Sequence, residues 1–283
     1  MRVTILTGAE GTTTVEEALQ LDADTKMLAF DMEGKDLGRE GFSSIIQLAK
    51  SPEHVLLLDV MGKNKNHALI KQVKPILENP DILKIVHDCR MDSDALYHHF
   101  GISLAGIWDT SVATGVITNN YNKNLNDTLS MFGLQPNKHR HSNVYETRPA
   151  FWLERPLTAE MANWASGDLK LLFDLHDAQT KRAVGAEKPD KIQKMSLTRA
   201  RCTRDASTRF GRIENVGRFM GKGGKNIRDT ELVTFTSIYG FGGRDGKRFV
   251  IYYHPEPYGE KGGEKKSHLG FLEQRGVVFE EPI

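Results

Sequence analysis

A chain of 283 residues, 39% hydrophobic and 27% charged, can bury one sizeable core and still leave length for a second, smaller domain. Its formal net charge is +1, yet residues 188–283 carry 19 Lys+Arg against 12 Asp+Glu, a surplus of seven that leaves residues 1–187 at −6. No run approaches the ~18 apolar residues of a membrane span. The N-terminal residues lack a secretion-signal core, and Cys89 and Cys202 have no metal-site spacing. An intracellular protein, cytoplasmic or nuclear, with two plain thiols is expected, with no membrane partner, disulfide framework or zinc site.

In chain order, residues 27–31, 45–49 and 55–60 are short apolar runs separated by glycine-rich or charged turns, which predicts three strands in a meander. Helical periodicity follows over 67–77, then a strand over 83–87 and a helix over 92–100 stopped by Gly101. Trp108-Asp109-Thr110 opens the next segment, and residues 159–182 are long and patterned enough for one helix. Strands mixed with crossover helices predict an α/β layered domain. Its sheet is mixed, because the first three strands are joined too tightly for parallel crossovers. Residues 183–194, charged and containing Pro189, read as a linker.

Four acidic residues stand out. Asp31 and Glu33, at i and i+2 on a strand, project from the same face, where their repulsion is costly unless a cation lies between them. Asp92 follows a strand and opens a helix, where capping is the everyday role. Asp168 lies mid-helix, four residues after Trp164 and on the same face. Taken singly, a solvated strand end, a cap and a surface carboxylate would account for them.

Their contexts are more specific. Leu28-Ala29-Phe30-Asp31-Met32-Glu33, the strand Ser44-Ile45-Ile46-Gln47-Leu48-Ala49, Lys84-Ile85-Val86-His87 leading to Asp92, and Arg155-Pro156-Leu157-Thr158 followed by Trp164-Ala165-Ser166-Gly167-Asp168 occur in that order. Residues 27–182 thereby resemble the DEDD superfamily of 3′-to-5′ exonucleases, in the ribonuclease D, exosome-associated and Werner-type branch. The resemblance implies a ribonuclease-H-like mixed sheet with flanking helices. It also implies that Asp31, Glu33, Asp92 and Asp168 bind two Mg²⁺ or Mn²⁺ ions, hard cations suited to carboxylate oxygens. Two such ions activate an attacking water and stabilise the leaving 3′ oxygen. Asp94 and Asp88 are near neighbours not expected in the site. Related enzymes carry a tyrosine four residues before the last aspartate, or a histidine five before it, to orient the water; this chain has Trp164 and Asn163. An indole N–H donates but cannot accept a proton. Trp164 is therefore carried as a catalytic-site position, with His87, His139 or His141 as alternative bases.

A second motif follows. Val216-Gly217-Arg218-Phe219-Met220-Gly221-Lys222-Gly223-Gly224-Lys225-Asn226-Ile227-Arg228 resembles the core of a KH domain, in which a GxxG loop joins two short helices. Glycines let a nucleic-acid backbone approach closely, and Arg218, Lys222 and Lys225 neutralise phosphates beside Gly221, Gly223 and Gly224. Residues 234–238 and 249–253 read as strands of its sheet. The expected organisation is an exonuclease domain over 1–187, a small α+β KH-like domain over 188–254 and a tail over 255–283. The expected function is metal-dependent 3′-to-5′ degradation or trimming of single-stranded RNA, with DNA as a second polyanion to consider. The competing class is a non-catalytic RNA-binding adaptor built from the same domains.

Overall fold

The structure, a computed structural model, describes residues 2–8, 13–120, 123–141, 143–185, 187–205, 207–213, 237–240, 248–253 and 277–279. The chain divides into two compact units, Met1–Ala200 and Arg201–Ile283.

In the first unit the elements are β1 (Arg2–Leu6), α1 (Val15–Leu19), β2 (Met27–Lys35), β3 (Phe42–Ser51), β4 (His54–Asp59), α2 (Ala68–Glu78), β5 (Leu83–Val86), α3 (Arg90–Phe100), β6 (Ile107–Asp109), α4 (Thr110–Thr118), α5 (Leu125–Met131), α6 (Val144–Thr147), a 3₁₀ turn at Phe151–Leu153, α7 (Ala159–Arg182) and, as far as Ala200, α8 (Glu187–Arg204). The six strands form one sheet in the order β1-β4-β3-β2-β5-β6. The meander β2-β3-β4 is antiparallel, whereas β1-β4, β2-β5 and β5-β6 are parallel. The predicted mixed sheet is therefore present, and β2 lies where its antiparallel half meets its parallel half.

Strand alternation divides the core into two layers. Leu28, Phe30 and Met32 of β2 join Ile46, Leu48, Leu56 and Leu58 against α1, α2 and α3. Ala29 joins Ile45, Val55, Leu57 and Ile85 on the opposite face, under the buried stripe Met161, Trp164, Ala165, Leu169 and Leu172 of α7. That stripe at i, i+3, i+4 spacing is why 159–182 folds as one helix. Thr158 caps it by accepting from the Met161 N–H. Gly101 terminates α3 in a left-handed conformation at φ 67°.

Lys84 shows how the parallel half is tied to α2. Its ammonium is fully buried and donates to the Ile76 and Asn79 carbonyls at the end of α2, which otherwise lack partners.

The linker expected over 183–194 is instead the turn into α8 together with the helix's first residues, 187–194. Ile192, Ser196 and Ala200 are fully buried against the first unit, and the Asp109 N–H donates to Ser196 Oγ at 2.9 Å. Pro189 is accommodated in the first helical turn, where its missing N–H costs nothing. The first unit thus extends to Ala200 and not to 187. In the second unit β7 (Ser207–Ile213), β8 (Ser237–Gly240), β9 (Arg248–Tyr253) and β10 (Val277–Phe279) form an antiparallel sheet ordered β10-β7-β9-β8. The strand expected over 249–253 is β9; of the one expected over 234–238, residues 237–238 fall in β8 and 234–236 lie outside the described residues. The expected tail contributes β10, paired with β7. Arg218, Gly221, Lys222, Gly223, Gly224 and Lys225 lie outside the described residues. No helix among the described residues is long and apolar enough to cross a membrane.

Candidate active site

Three layers supply the acidic residues. Asp31 and Glu33 extend the Ala29 face of β2, beneath α7, and a β-bulge follows directly after Glu33. Bulges bend a strand and re-aim its side chains. From α7, Asp168 enters the same space at only 1% exposure, since it falls within the helix's buried stripe. Carboxylate oxygens of Asp31, Glu33 and Asp168 lie within 4.8 Å of one another, a spacing that can hold a metal ion. Asp92 arrives from the opposite layer in the first turn of α3. It does not cap its own helix through its side chain; Oδ1 accepts the Met32 N–H at 3.0 Å, which ties α3 to β2 between the two acidic positions. All four residues line one cleft of about 120 Å³ together with His87 and Arg140. The bland readings of a solvated strand end and a surface carboxylate do not hold for this cluster.

Electrostatics follow from the packing. Burial, with the charge of Asp168 added, pushes Asp31 up to about 7 from an ordinary 3.8. Burial and Asp31 push both Glu33 and Asp92 well above the carboxylate range. Asp168 is raised by burial too, but the Arg140 guanidinium and the Asn137 amide pull it back. Anions stacked in this way favour protons or cations between them.

The loop before α6 supports Asp168 in a manner the sequence reading missed. Asn137 Nδ2 donates to Asp168 Oδ1 at 2.9 Å and to the Trp164 carbonyl at 3.0 Å, while Arg140 Nη1 donates to Asp168 Oδ2 at 3.1 Å. Asn137 lies against α7 because residue 167 is glycine: a Cβ there would meet Asn137 Nδ2 at 2.7 Å. The sequence signal was a helix-interior glycine beside the aspartate, a costly residue that calls for a packing reason.

Trp164 is 1% exposed and is held by Phe151, Trp152, Tyr145 and His141 with ring centroids 5.6 to 6.4 Å away. Its indole N–H favours the ionised Asp168 carboxylate but meets no acceptor with hydrogen-bonding geometry among the described residues. Of the alternative bases, His87 lines the cleft with both ring nitrogens engaged, by Thr110 Oγ1 at 2.8 Å and the Lys123 carbonyl at 2.9 Å. Burial lowers its pKa. His141 packs on Trp164, and His139 donates its backbone N–H to Asn137 Oδ1. Asp94 is directed away from the cleft, onto Arg39 at 2.7 Å, and Asp88 onto Arg90 and Arg199. Both were set aside at the sequence level.

A mixed six-stranded sheet between helical layers, with clustered carboxylates at the carboxyl end of β2, matches ribonuclease-H-like exonuclease structures. The chain belongs to the 3′-5′ exonuclease family, whose match spans residues 7–183. It is 29% identical over 160 residues to the silkworm (Bombyx mori) piRNA biogenesis protein EXD1, covering 53% of this chain and 48% of that one. Ribonuclease D of Nitrobacter hamburgensis is 26% identical over 134 residues, 47% of this chain and 32% of the relative. The chain spans about half or less of the length of these curated relatives. Among solved structures, the catalytic core of RRP6 from Trypanosoma brucei superposes with TM-score 0.55 at 22% identity, covering 70% of this chain and 52% of that one. Brucella melitensis NrnC gives 0.55 at 18%, covering 71% and 92%.

Proposed function

We propose that the chain is a metal-dependent 3′-to-5′ exonuclease acting on single-stranded RNA, with Asp31, Glu33, Asp92 and Asp168 holding two Mg²⁺ or Mn²⁺ ions. The observation that carries this is the approach of three carboxylates, from β2 and α7, to within 4.8 Å in a cleft that Asp92 also lines. Bound there, the ions would activate the attacking water and stabilise charge on the leaving oxygen. Water oxygen attacks the terminal phosphorus, the bond to the preceding 3′ oxygen breaks, that oxygen takes up a proton, and a nucleoside 5′-monophosphate is released. The protein's part is to orient the carboxylates: Asn137 fixes Asp168, and the Met32 N–H fixes Asp92. RNA as substrate is supported by the names of relatives such as ribonuclease D. The basic surplus beyond residue 188 and the Gly221-Lys222-Gly223-Gly224 pattern support an RNA-holding KH-like module.

Timed digestion of 5′-labelled single-stranded RNA with Mg²⁺ or Mn²⁺ is expected to give products shortened stepwise from the 3′ end, abolished by EDTA. A binding arm uses Lys222→Asp with Gly223→Asp, which places bulk and negative charge where phosphate would pass. RNA affinity should fall while cleavage of a saturating short substrate changes less. Equal affinity in a folded double variant would remove this loop from the interface. One observation favours a second reading, a non-catalytic RNA adaptor: Trp164 occupies the position where relatives orient water, and an indole N–H cannot accept a proton. Both metals failing to support cleavage while RNA binding persists would establish it.

A further inference from the structure

Arg140 is a cation placed inside a site built for cations. Its Nη1 is 3.1 Å from Asp168 Oδ2, and its guanidinium carbon lies 5.8 Å from the centre of the Trp164 ring. It lines the cleft beside Asp31, Glu33 and Asp92. The attraction of Asp168, Glu33 and Asp31 keeps it charged despite burial. Its side chain is still 34% exposed, against 2% for Asp168, so the head group can leave the carboxylate without crossing the core. A guanidinium presents a planar fork that fits a phosphate as well as a carboxylate.

Two facts set the arginine against a bound metal ion. In the structure one Asp168 oxygen is occupied by Arg140 and the other by Asn137. On the reading proposed above, Asp168 must also offer an oxygen to a divalent ion, beside which a fixed guanidinium would be repelled. We propose that Arg140 is an exchangeable counter-charge: it neutralises Asp168 in the metal-free protein and passes to the substrate's terminal phosphate once divalent cations occupy the carboxylates. The inference rests on the exonuclease reading of the site. It makes Arg140 a phosphate-binding residue supplied by the loop ahead of α6, outside the four acidic positions. The cation–π contact with Trp164 gives the guanidinium a surface to pivot on without full hydration.

The experiment uses the full chain and two binding measurements that need no turnover. First, the metal-free protein is titrated with Mn²⁺ by calorimetry. Second, adenosine 5′-monophosphate is titrated into the Mn²⁺-saturated protein. Arg140→Gln is expected to bind Mn²⁺ about tenfold more tightly, having lost a competing cation, and the nucleotide about tenfold more weakly, having lost a charged phosphate contact. Arg140→Lys, which keeps the charge without the fork, should retain wild-type Mn²⁺ affinity and weaken the nucleotide less. Thermal unfolding of each variant confirms that it is folded. Weaker Mn²⁺ binding in Arg140→Gln would make the arginine a mere support for Asp168 and overturn the proposal. Tighter Mn²⁺ with unchanged nucleotide affinity would overturn the hand-over to phosphate. Wild-type protein that binds both but does not cut RNA would refute the exonuclease reading while leaving the exchange of partners intact.

Discussion

Replacing Asp31 with Asn tests the electrostatic design of the site in the absence of any substrate. Burial and Asp168 lift the Asp31 carboxyl from 3.8 to about 7. The folded protein therefore binds more protons here than the unfolded chain between those values, and stability falls as pH rises through the window. The contribution is fully present below about 4 and lost above about 7. Three pKa units correspond to a ceiling of about 4 kcal/mol. The Gln47 amide contact to Asp31 at 3.4 Å is long and offsets little of it. With EDTA present, Asp31→Asn should be more stable than wild type at pH 8, by about 2–4 kcal/mol, with the difference shrinking toward pH 5. Urea unfolding followed by tryptophan fluorescence is well suited, because Trp108, Trp152 and Trp164 all lie in the first unit and report on it alone. Adding Mg²⁺ should reverse the order, since ligation stabilises only the protein that binds. Wild type that is equally stable at pH 5 and pH 8 in EDTA, with the variant no different, would refute the claim that these carboxylates are held together against their repulsion.

Other consequences are equally direct. Trp164→Tyr should raise the rate of RNA cleavage, by as much as about 10²-fold if the phenol reaches the attacking water. The smaller ring should cost about 1–3 kcal/mol of stability within the aromatic cluster; a slower variant would show that the indole is the better partner for this site. Gly167→Ala should weaken Mn²⁺ binding measured by calorimetry, because its Cβ would displace Asn137 from Asp168; unchanged affinity would show that Asn137 does not position the ligand. Lys84→Met addresses the buried ammonium, which burial pushes down to about 7 from 10.5. The unfolded chain binds more protons in that window, so wild-type stability gains a component that rises with pH from about 7, absent from the variant. Parallel urea titrations at pH 7 and 9.5 should show the difference narrowing or changing sign, and a constant offset would place the ammonium in water.

What the sequence disclosed, and what it withheld, follows range of interaction. The strands and helices that carry Asp31, Glu33, Asp92 and Asp168 were legible because each combines a local periodicity with an acid at its end or on its face. Strand β1 was missed because Arg2–Leu6 is short and gains its place only by pairing with β4, far along the chain. The first part of helix α8 was taken for a linker because its charged outer face dominates the composition, while its deeply buried positions, Ile192, Ser196, Ala200 and Thr203, are few and widely spaced. Arg140 and Asn137 carry no local signature at all. Their roles exist only because the loop folds back on α7, and Gly167 alone hinted that something approached there.

Helix α8 completes the first unit from beyond the family match. The family resemblance ends at 183, yet Asp88, which opens the turn into α3 at a left-handed φ of 57°, is neutralised from beyond that point by Arg199 at 3.0 Å. Arg199 also lies 3.6 Å from the fully buried Asp109, whose carboxylate holds the backbone N–H groups of Asp88 and Cys89. A fragment cut where the resemblance stops would leave Asp88 with Arg90 alone, take the neighbouring cation from Asp109 and bare the apolar seam that Ile192 and Ala200 close. The turn that aims Asp92 would slacken with them. Recombination, truncation or domain grafting should therefore place the break after Arg204, where helix α8 ends.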